Sequence, residues 1–414
     1  MNLWHIAWNY LWNRKLTTLL TVLSVALGVG LIFAVLTLRR ETQKRFEEEG
    51  QSFDVVVGAK GSPLQLVLSA LYFMDSPTGN ISLADYEAIK KNEDVTAAFP
   101  VCMGDTYHGF RIVGTSRDLF DYTWTNPSTG EVRAPYRLAE GRYFEKPMEA
   151  VLGSVVARNE NLKVGDEFIG SHGFVEAPIS GMEHSHERFP YTVVGILKLS
   201  GSPNDRAIFT PMDSVWDVHK HDQAGDAGDL ASDQVTAVLV HLVSPAVEFQ
   251  FVGSVNSGMN AMATIPIIQI ANLYVNVLGT AKSVLLAVGY LVVVISAISI
   301  LIGLYLSIIQ RKRDLAIMRA LGASAWEIVG SVLIEAFLVT MLGIVAGWVL
   351  GNLVCGGVSL YLTKHYGLTI SLFGIPTPEE LGAFATVALV GILAGIVPAW
   401  QAYKTDVARD LAEL

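Results

Sequence analysis

Gln310-Arg311-Lys312-Arg313-Asp314-Leu315-Ala316-Ile317-Met318-Arg319-Ala320-Leu321-Gly322-Ala323-Ser324-Ala325-Trp326 is a short basic segment set between two long apolar runs. Before it, Ser283 to Ile309 is 27 residues without a charge; after it, Ile328 to Val354 carries only Glu335. A helix needs about 20 mainly apolar residues to cross a bilayer, so both runs read as spans. Two more qualify: Leu16 to Leu38, which is uncharged, and Leu381 to Trp400, whose end Pro398 loosens. The run Met262 to Val277 does not, because Pro266, Gln269 and Asn272 interrupt it.

Composition agrees with a membrane protein carrying a large water-soluble part. Of 414 residues, 51% are hydrophobic and 16% charged, against about 25% charged in an ordinary soluble chain; the mean hydropathy is +0.41. Two cysteines, Cys102 and Cys355, exclude a zinc ribbon or disulfide scaffold. A net charge of −10 argues against nucleic acid as a partner.

Basic residues in short loops stay on the cytoplasmic side. The segment 310–326 has Arg311, Lys312, Arg313 and Arg319 against Asp314, whereas the next link has only Lys364 as a lysine or arginine. This puts 310–326 and both termini inside and about 240 residues outside. Arg39, Arg40, Lys44 and Arg45 follow the first span on the outer side; Glu41, Glu47, Glu48 and Glu49 balance them. The first span is too long for a signal-peptide core and lacks a cleavage pattern, so it reads as a retained anchor. The resulting division is an interfacial helix (1–15), a first span (16–38), an external domain with stalk helices (39–282) and a second span (283–309). The cytoplasmic segment (310–326), third span (328–354), short external loop (355–380), fourth span (381–400) and cytoplasmic tail (401–414) follow.

The external part carries the acidity: residues 50–275 hold 15 Lys and Arg against 27 Asp and Glu, and seven of the nine histidines. Short apolar runs at 54–58, 109–113, 150–152, 192–197, 207–210 and 235–242 read as strands. Helices are expected at 63–73, from Ser82 (a capping-box start), at 154–161 and in the return 265–282. The domain is therefore α+β. Residues 2–13 place Trp4, Ala7, Trp8, Leu11 and Trp12 on one arc, as a membrane-surface helix would. Gly343, Gly347 and Gly351 repeat every fourth residue and allow close helix packing, within one chain or across a dimer seam. Glu335, about two turns inside the third span, reads as a structural hydrogen-bonding group.

Within the basic segment, Leu315, Met318 and Leu321 form one helical stripe with charge around them. Gly322 permits a close turn, and Ser324 with Glu327 has capping-box spacing. This stretch resembles the coupling segment of FtsX-like permeases, the MacB/LolC-type (type VII) ABC transporter family, whose pattern is E/Q-R-x-R-E-I-x-x-L-R-A-x-G-A-S/T. Gln310, Arg311, Arg313, Asp314, Leu315, Arg319, Ala320, Gly322, Ala323 and Ser324 stand on it, with Met318 in place of the usual Leu. Trp8 to Leu20 resembles the family's amino-terminal surface helix, and Gly395 to Tyr403 its carboxy-terminal P-A-x-x-A signature.

The resemblance implies a bacterial inner-membrane permease subunit. It implies that Arg311, Arg313, Asp314, Leu315, Met318, Arg319, Gly322, Ala323 and Ser324 meet an ABC ATPase. The subunit would work as a homodimer by mechanotransmission, exporting or extracting a substrate, with a periplasmic adaptor or binding protein as a further partner. An FtsX-like signal transducer activating an extracytoplasmic partner is the alternative. No G-x-x-x-x-G-K-[ST] phosphate cradle occurs, so ATP and Mg²⁺ are expected on a separate subunit, and the chain itself is not read as an enzyme. His172, Glu176, His184 and His186 form an H-x-H-containing cluster suited to Zn²⁺, to be weighed against a plain solvated loop; a metal-binding or sensing membrane protein is the third class this leaves open.

Overall fold

A computed structural model describes residues 3–74, 76–125, 130, 132–172, 189–221, 234–366 and 376–403. The chain forms two compact units. One comprises Met1–Glu41, Leu278–Val358 and Ile370–Leu414; the other comprises Thr42–Val277 and Ser359–Thr369.

The first unit is helical. Four helices among the described residues are long and apolar enough to cross a membrane. They run Lys15–Gly50, Gly279–Gln310, Ala325–Tyr366 and Pro378–Tyr403. Each outlasts the apolar run that announces it. The third continues to Tyr366, so the segment read as a loop from 355 begins as helix; Gly356 and Gly357 weaken a helix without breaking it. Leu3–Asn13 is a separate helix that buries Ala7 and Leu11 while leaving Trp4, Trp8 and Trp12 exposed.

The glycine stripe packs inside this unit. A Cβ built on Gly343 would lie 2.5 Å from Val25 Cβ, one on Gly347 2.6 Å from Val29 Cβ, and one on Gly351 2.7 Å from Phe33 Cδ1. The third helix thus lies against the first at backbone distance. A charged cluster ties helix ends. Buried Glu380 accepts from Thr37 Oγ1 (3.0 Å), Arg40 Nη1 (3.1 Å) and the Thr377 N–H (2.8 Å). Glu379 pairs with Arg39 (3.6 Å) and Lys282 (4.0 Å).

The second unit is built on an eleven-stranded mixed sheet. Its path runs Met262–Thr264, Val55–Gly58, Ala237–Leu242, Val95–Tyr107, Phe110–Thr115, Ala207–Pro211, Glu149–Leu152, Tyr191–Leu197, Leu138–Gly141. Two neighbours are parallel: Ala207–Pro211 with Phe110–Thr115, and Tyr191–Leu197 with Glu149–Leu152. Both faces are covered, which is why Val55, Val56 and Val57 are all buried and read as an unbroken apolar run. Val56 joins the core under helix Pro63–Tyr72, while Val55 and Val57 face helices Leu83–Lys90 and Glu248–Gly258.

Local chemistry sets the boundaries. Ser62 accepts from the Gln65 N–H, Pro63 opens the helix, and Phe73 ends it with φ +54°. Ser82 caps Leu83–Lys90 by accepting from the Asp85 N–H at 3.1 Å. The last turns of the first long helix dock in this unit. Phe46 stacks on Tyr72 (5.0 Å) and meets Tyr274 edge-on (6.1 Å), and the Tyr72 hydroxyl donates to the Phe46 carbonyl (2.7 Å). The outgoing and returning segments therefore touch through one aromatic cluster.

Candidate functional site

The basic segment folds as a nine-residue helix, Lys312–Ala320, followed by a tight turn. One side is seated: Leu315 and Ala316 are buried, and Leu315 packs with Ile308, Ile328, Val332, Ala399 and Ala402. Met318 is partly buried against the same cluster, but Leu321 is 84% exposed. It leaves the expected stripe because the helix stops at Ala320 and Gly322 takes φ +103°, turning the chain away. The Ala323 N–H returns to the Met318 carbonyl at 3.0 Å, closing that turn. Ser324 and Glu327 form the expected reciprocal cap. The Ser324 N–H donates to Glu327 Oε2 (2.7 Å), and the Glu327 N–H donates to Ser324 Oγ (3.2 Å). The Ser324 hydroxyl also donates to Glu327 Oε2 (3.0 Å), and this bond with that from the Ser324 N–H holds the Glu327 carboxyl below its ordinary range.

The outward side carries Lys312, Arg313, Asp314, Ile317, Ala320, Leu321, Gly322 and Ser324, with Trp326 beyond the turn. Charge alternates there with exposed apolar side chains, which suits a protein partner. Ile317, Leu321 and Trp326 belong to this surface and were not singled out by the family pattern; their signal is apolar bulk on the polar side of a short helix.

Arg311 is placed differently from its neighbours. It is buried, donates through Nη2 to the Glu335 carboxylate, and lies 4.2 Å over the Tyr10 ring. Nearby, Arg14 donates to Gln310. Arg311 is thus turned into the unit, while Arg313, Asp314 and Gly322 face out.

The zinc cluster is only partly within view. Glu176, His184 and His186 lie outside the described residues, and His172 sits on a two-residue strand opposite Asp105. The described residues contain no group of three or more His, Cys, Asp or Glu able to hold a metal.

In the sheet unit, two cavities of about 470 and 370 Å³ share Phe53 and Tyr122. Tyr122 stacks on His241 (4.8 Å), whose Nδ1 meets Asp54 (3.0 Å) and whose Nε2 meets the Ser52 carbonyl (3.0 Å). Burial alone would raise the Asp54 carboxyl, but bonds from His241 and the Leu242 N–H outweigh it and hold the group low. This is a braced corner between the end of the long helix and the strand Ala237–Leu242.

Four spanning helices interrupted after the first by a two-faced sheet domain define a multi-pass membrane protein of the ABC permease class. Residues 18–264 match the family model of the MacB-like periplasmic core domain, and residues 286–407 that of the FtsX-like permease C-terminal region. The chain belongs to the FtsX/MacB-type ABC permease family, and its sheet domain is extracytoplasmic.

Among relatives, the macrolide export ATP-binding/permease protein MacB of Nitrosomonas europaea is 22% identical over 388 residues, 92% of this chain and 54% of that protein. The pyoverdine export ATP-binding/permease protein PvdT of Pseudomonas entomophila is 32% identical over 124 residues, 28% of this chain and 18% of that one. The chain therefore spans at most about half the length of these curated relatives. The crystal structure of the periplasmic region of MacB from Actinobacillus actinomycetemcomitans superposes on 55% of this chain and 95% of that one, with TM-score 0.33 and 12% identity.

Proposed function

We propose that this chain is the membrane subunit of an inner-membrane ABC transporter, gripped by an ATPase at the outward side of helix Lys312–Ala320. Two copies work together, and ATP with Mg²⁺ is bound and hydrolysed on the partner. Closure of the ATPase displaces the 311–324 segment, the first two spans convey the movement, and the extracytoplasmic domain drives a substrate outward or out of the membrane. An extracytoplasmic adaptor or binding protein takes the substrate onward.

The observation that supports this reading is the two-sidedness of the loop helix. Leu315 and Ala316 anchor it among the spans, while Arg313, Asp314, Ile317 and Leu321 face away and are exposed. A helix fixed on one side and uncovered on the other transmits a push without detaching.

A photo-crosslinking residue placed at Leu321 or Ile317 in the full chain should capture an ATPase in cells of the source organism. Arg313→Glu should lower stimulation of that ATPase at least about tenfold, the scale of a charge-assisted contact, while the four spans still assemble. Failure of both positions to capture any ATPase refutes the assignment.

A further inference from the structure

Arg311 stands on the family pattern together with Arg313 and Arg319, yet its surroundings are those of a buried clasp. It follows the second long helix directly, and its own carbonyl accepts the first turn of the loop helix, from the Leu315 N–H at 3.0 Å. Its side chain is 4% exposed and that of Glu335 5%. Through this pair and the Tyr10 ring it touches the third long helix and the surface helix Leu3–Asn13 at once.

Such a pair is a poor device for stability alone. Desolvating both charges offsets most of their attraction, and an apolar pair of similar volume usually holds a fold as well or better. The guanidinium is also incompletely satisfied: Nε and Nη1 are buried without a hydrogen-bond partner among the described residues. What a directional bond supplies and an apolar contact does not is registry, because Nη2 reaches its carboxylate at one rotation of the loop against the third helix.

We propose that Arg311 is a positioning residue rather than an ATPase contact: bonded to Glu335 and stacked on Tyr10, it makes the loop helix, the third span and the surface helix move as one body. That this body is driven by an ATPase rests on the function proposed above. The clasp itself does not.

The test uses the full chain in lipid nanodiscs, with and without its ATPase. Hydrogen exchange of residues 312–320 is compared in wild type, Arg311→Lys, Glu335→Gln and the double variant Arg311→Met/Glu335→Met. The double variant keeps apolar volume and guards against misfolding from an unpaired buried charge. Loop exchange should quicken at least about tenfold in all three, the scale of one lost charge-assisted bond, with the cores of the four spans still protected. The double variant should bind the ATPase within about threefold of wild type while its stimulation falls at least about tenfold. Arg313→Glu should instead weaken binding itself.

Unchanged loop exchange in the double variant overturns the proposal, since packing would then position the loop. A loss of ATPase affinity in the double variant equal to that of Arg313→Glu also overturns it, because Arg311 would then be a contact. If wild type binds no ATPase, the proposed function fails, and the exchange measurement still judges the clasp.

Discussion

Replacing Gly347 by alanine adds one methyl group to the seam between the first and third long helices. The new Cβ would stand 2.6 Å from Val29 Cβ and 2.8 Å from the Ala26 carbonyl oxygen. Carbon atoms rest at about 3.5–4.0 Å, so the helices must part by about 1 Å. Overpacking of this kind costs about 1–3 kcal/mol, and the upper half applies because a main-chain carbonyl cannot rotate aside. Against this stands up to about 1 kcal/mol that alanine gains over glycine within a helix. The net is a loss of about 1–2 kcal/mol, or about 5- to 30-fold in the unfolding equilibrium.

Gly357, on the same helix, has no atom within 4 Å of a built Cβ, so Gly357→Ala should be neutral or mildly stabilising. Reversible unfolding in mixed detergent micelles, following the helical signal, measures both. Equal stability of Gly347→Ala and Gly357→Ala would refute the seam. So would a Gly347→Ala variant that loses self-association while its unfolding is unchanged, because the stripe would then face a second copy.

Two further outcomes are expected. Gly322→Ala meets no neighbour within 4 Å, so its penalty comes from φ +103° alone, about 1–3 kcal/mol for a side-chain-bearing residue in such a conformation; hydrogen exchange should rise at 321–325, and a change confined to other segments would contradict the turn's role. In the sheet unit, Arg142 grips Glu149 with both terminal nitrogens (2.6 and 2.8 Å), which outweighs burial and, with the Glu145 and Lys146 N–H groups, lowers the carboxyl to about 2 from an ordinary 4.5. A carboxyl lowered on folding contributes fully above about pH 4.5 and loses that contribution as pH falls toward 2. Acid unfolding of Arg142→Ala should therefore begin at higher pH than wild type, and coincident acid transitions would contradict it.

Where local chemistry decides, the residues are legible. Long runs with no charge, or in the third with Glu335 alone, give the four spans, Pro63 and Ser82 mark helix starts, and Ser324 with Glu327 gives the cap after the loop. Partners far apart in sequence decide the remainder. Arg39 and Arg40 read as balanced by the glutamates that follow them, and Arg40 does meet Glu41, but both arginines also reach Glu379 or Glu380 more than 300 positions away. Glu335 stands out as an intramembrane acid, yet nothing nearby in sequence names Arg311 as the group it binds. The longest strand, Val95–Tyr107, escapes notice because Pro100 and Gly104 argue against a central strand. Its pairing with Phe110–Thr115 shifts register between Met103 and Thr106, at that glycine. Leu321 shows the converse error, since a stripe drawn at helical spacing runs past the point where Gly322 ends the helix.

Lys15–Gly50 is one helix of 36 residues, about 54 Å from end to end at 1.5 Å per residue. It has no proline and no break at which a bend could be absorbed. Rocking such a rod by about 5° about one tip sweeps the other through roughly 5 Å, about the height of one helical turn. A continuous helix of this length multiplies a small angular change along its axis.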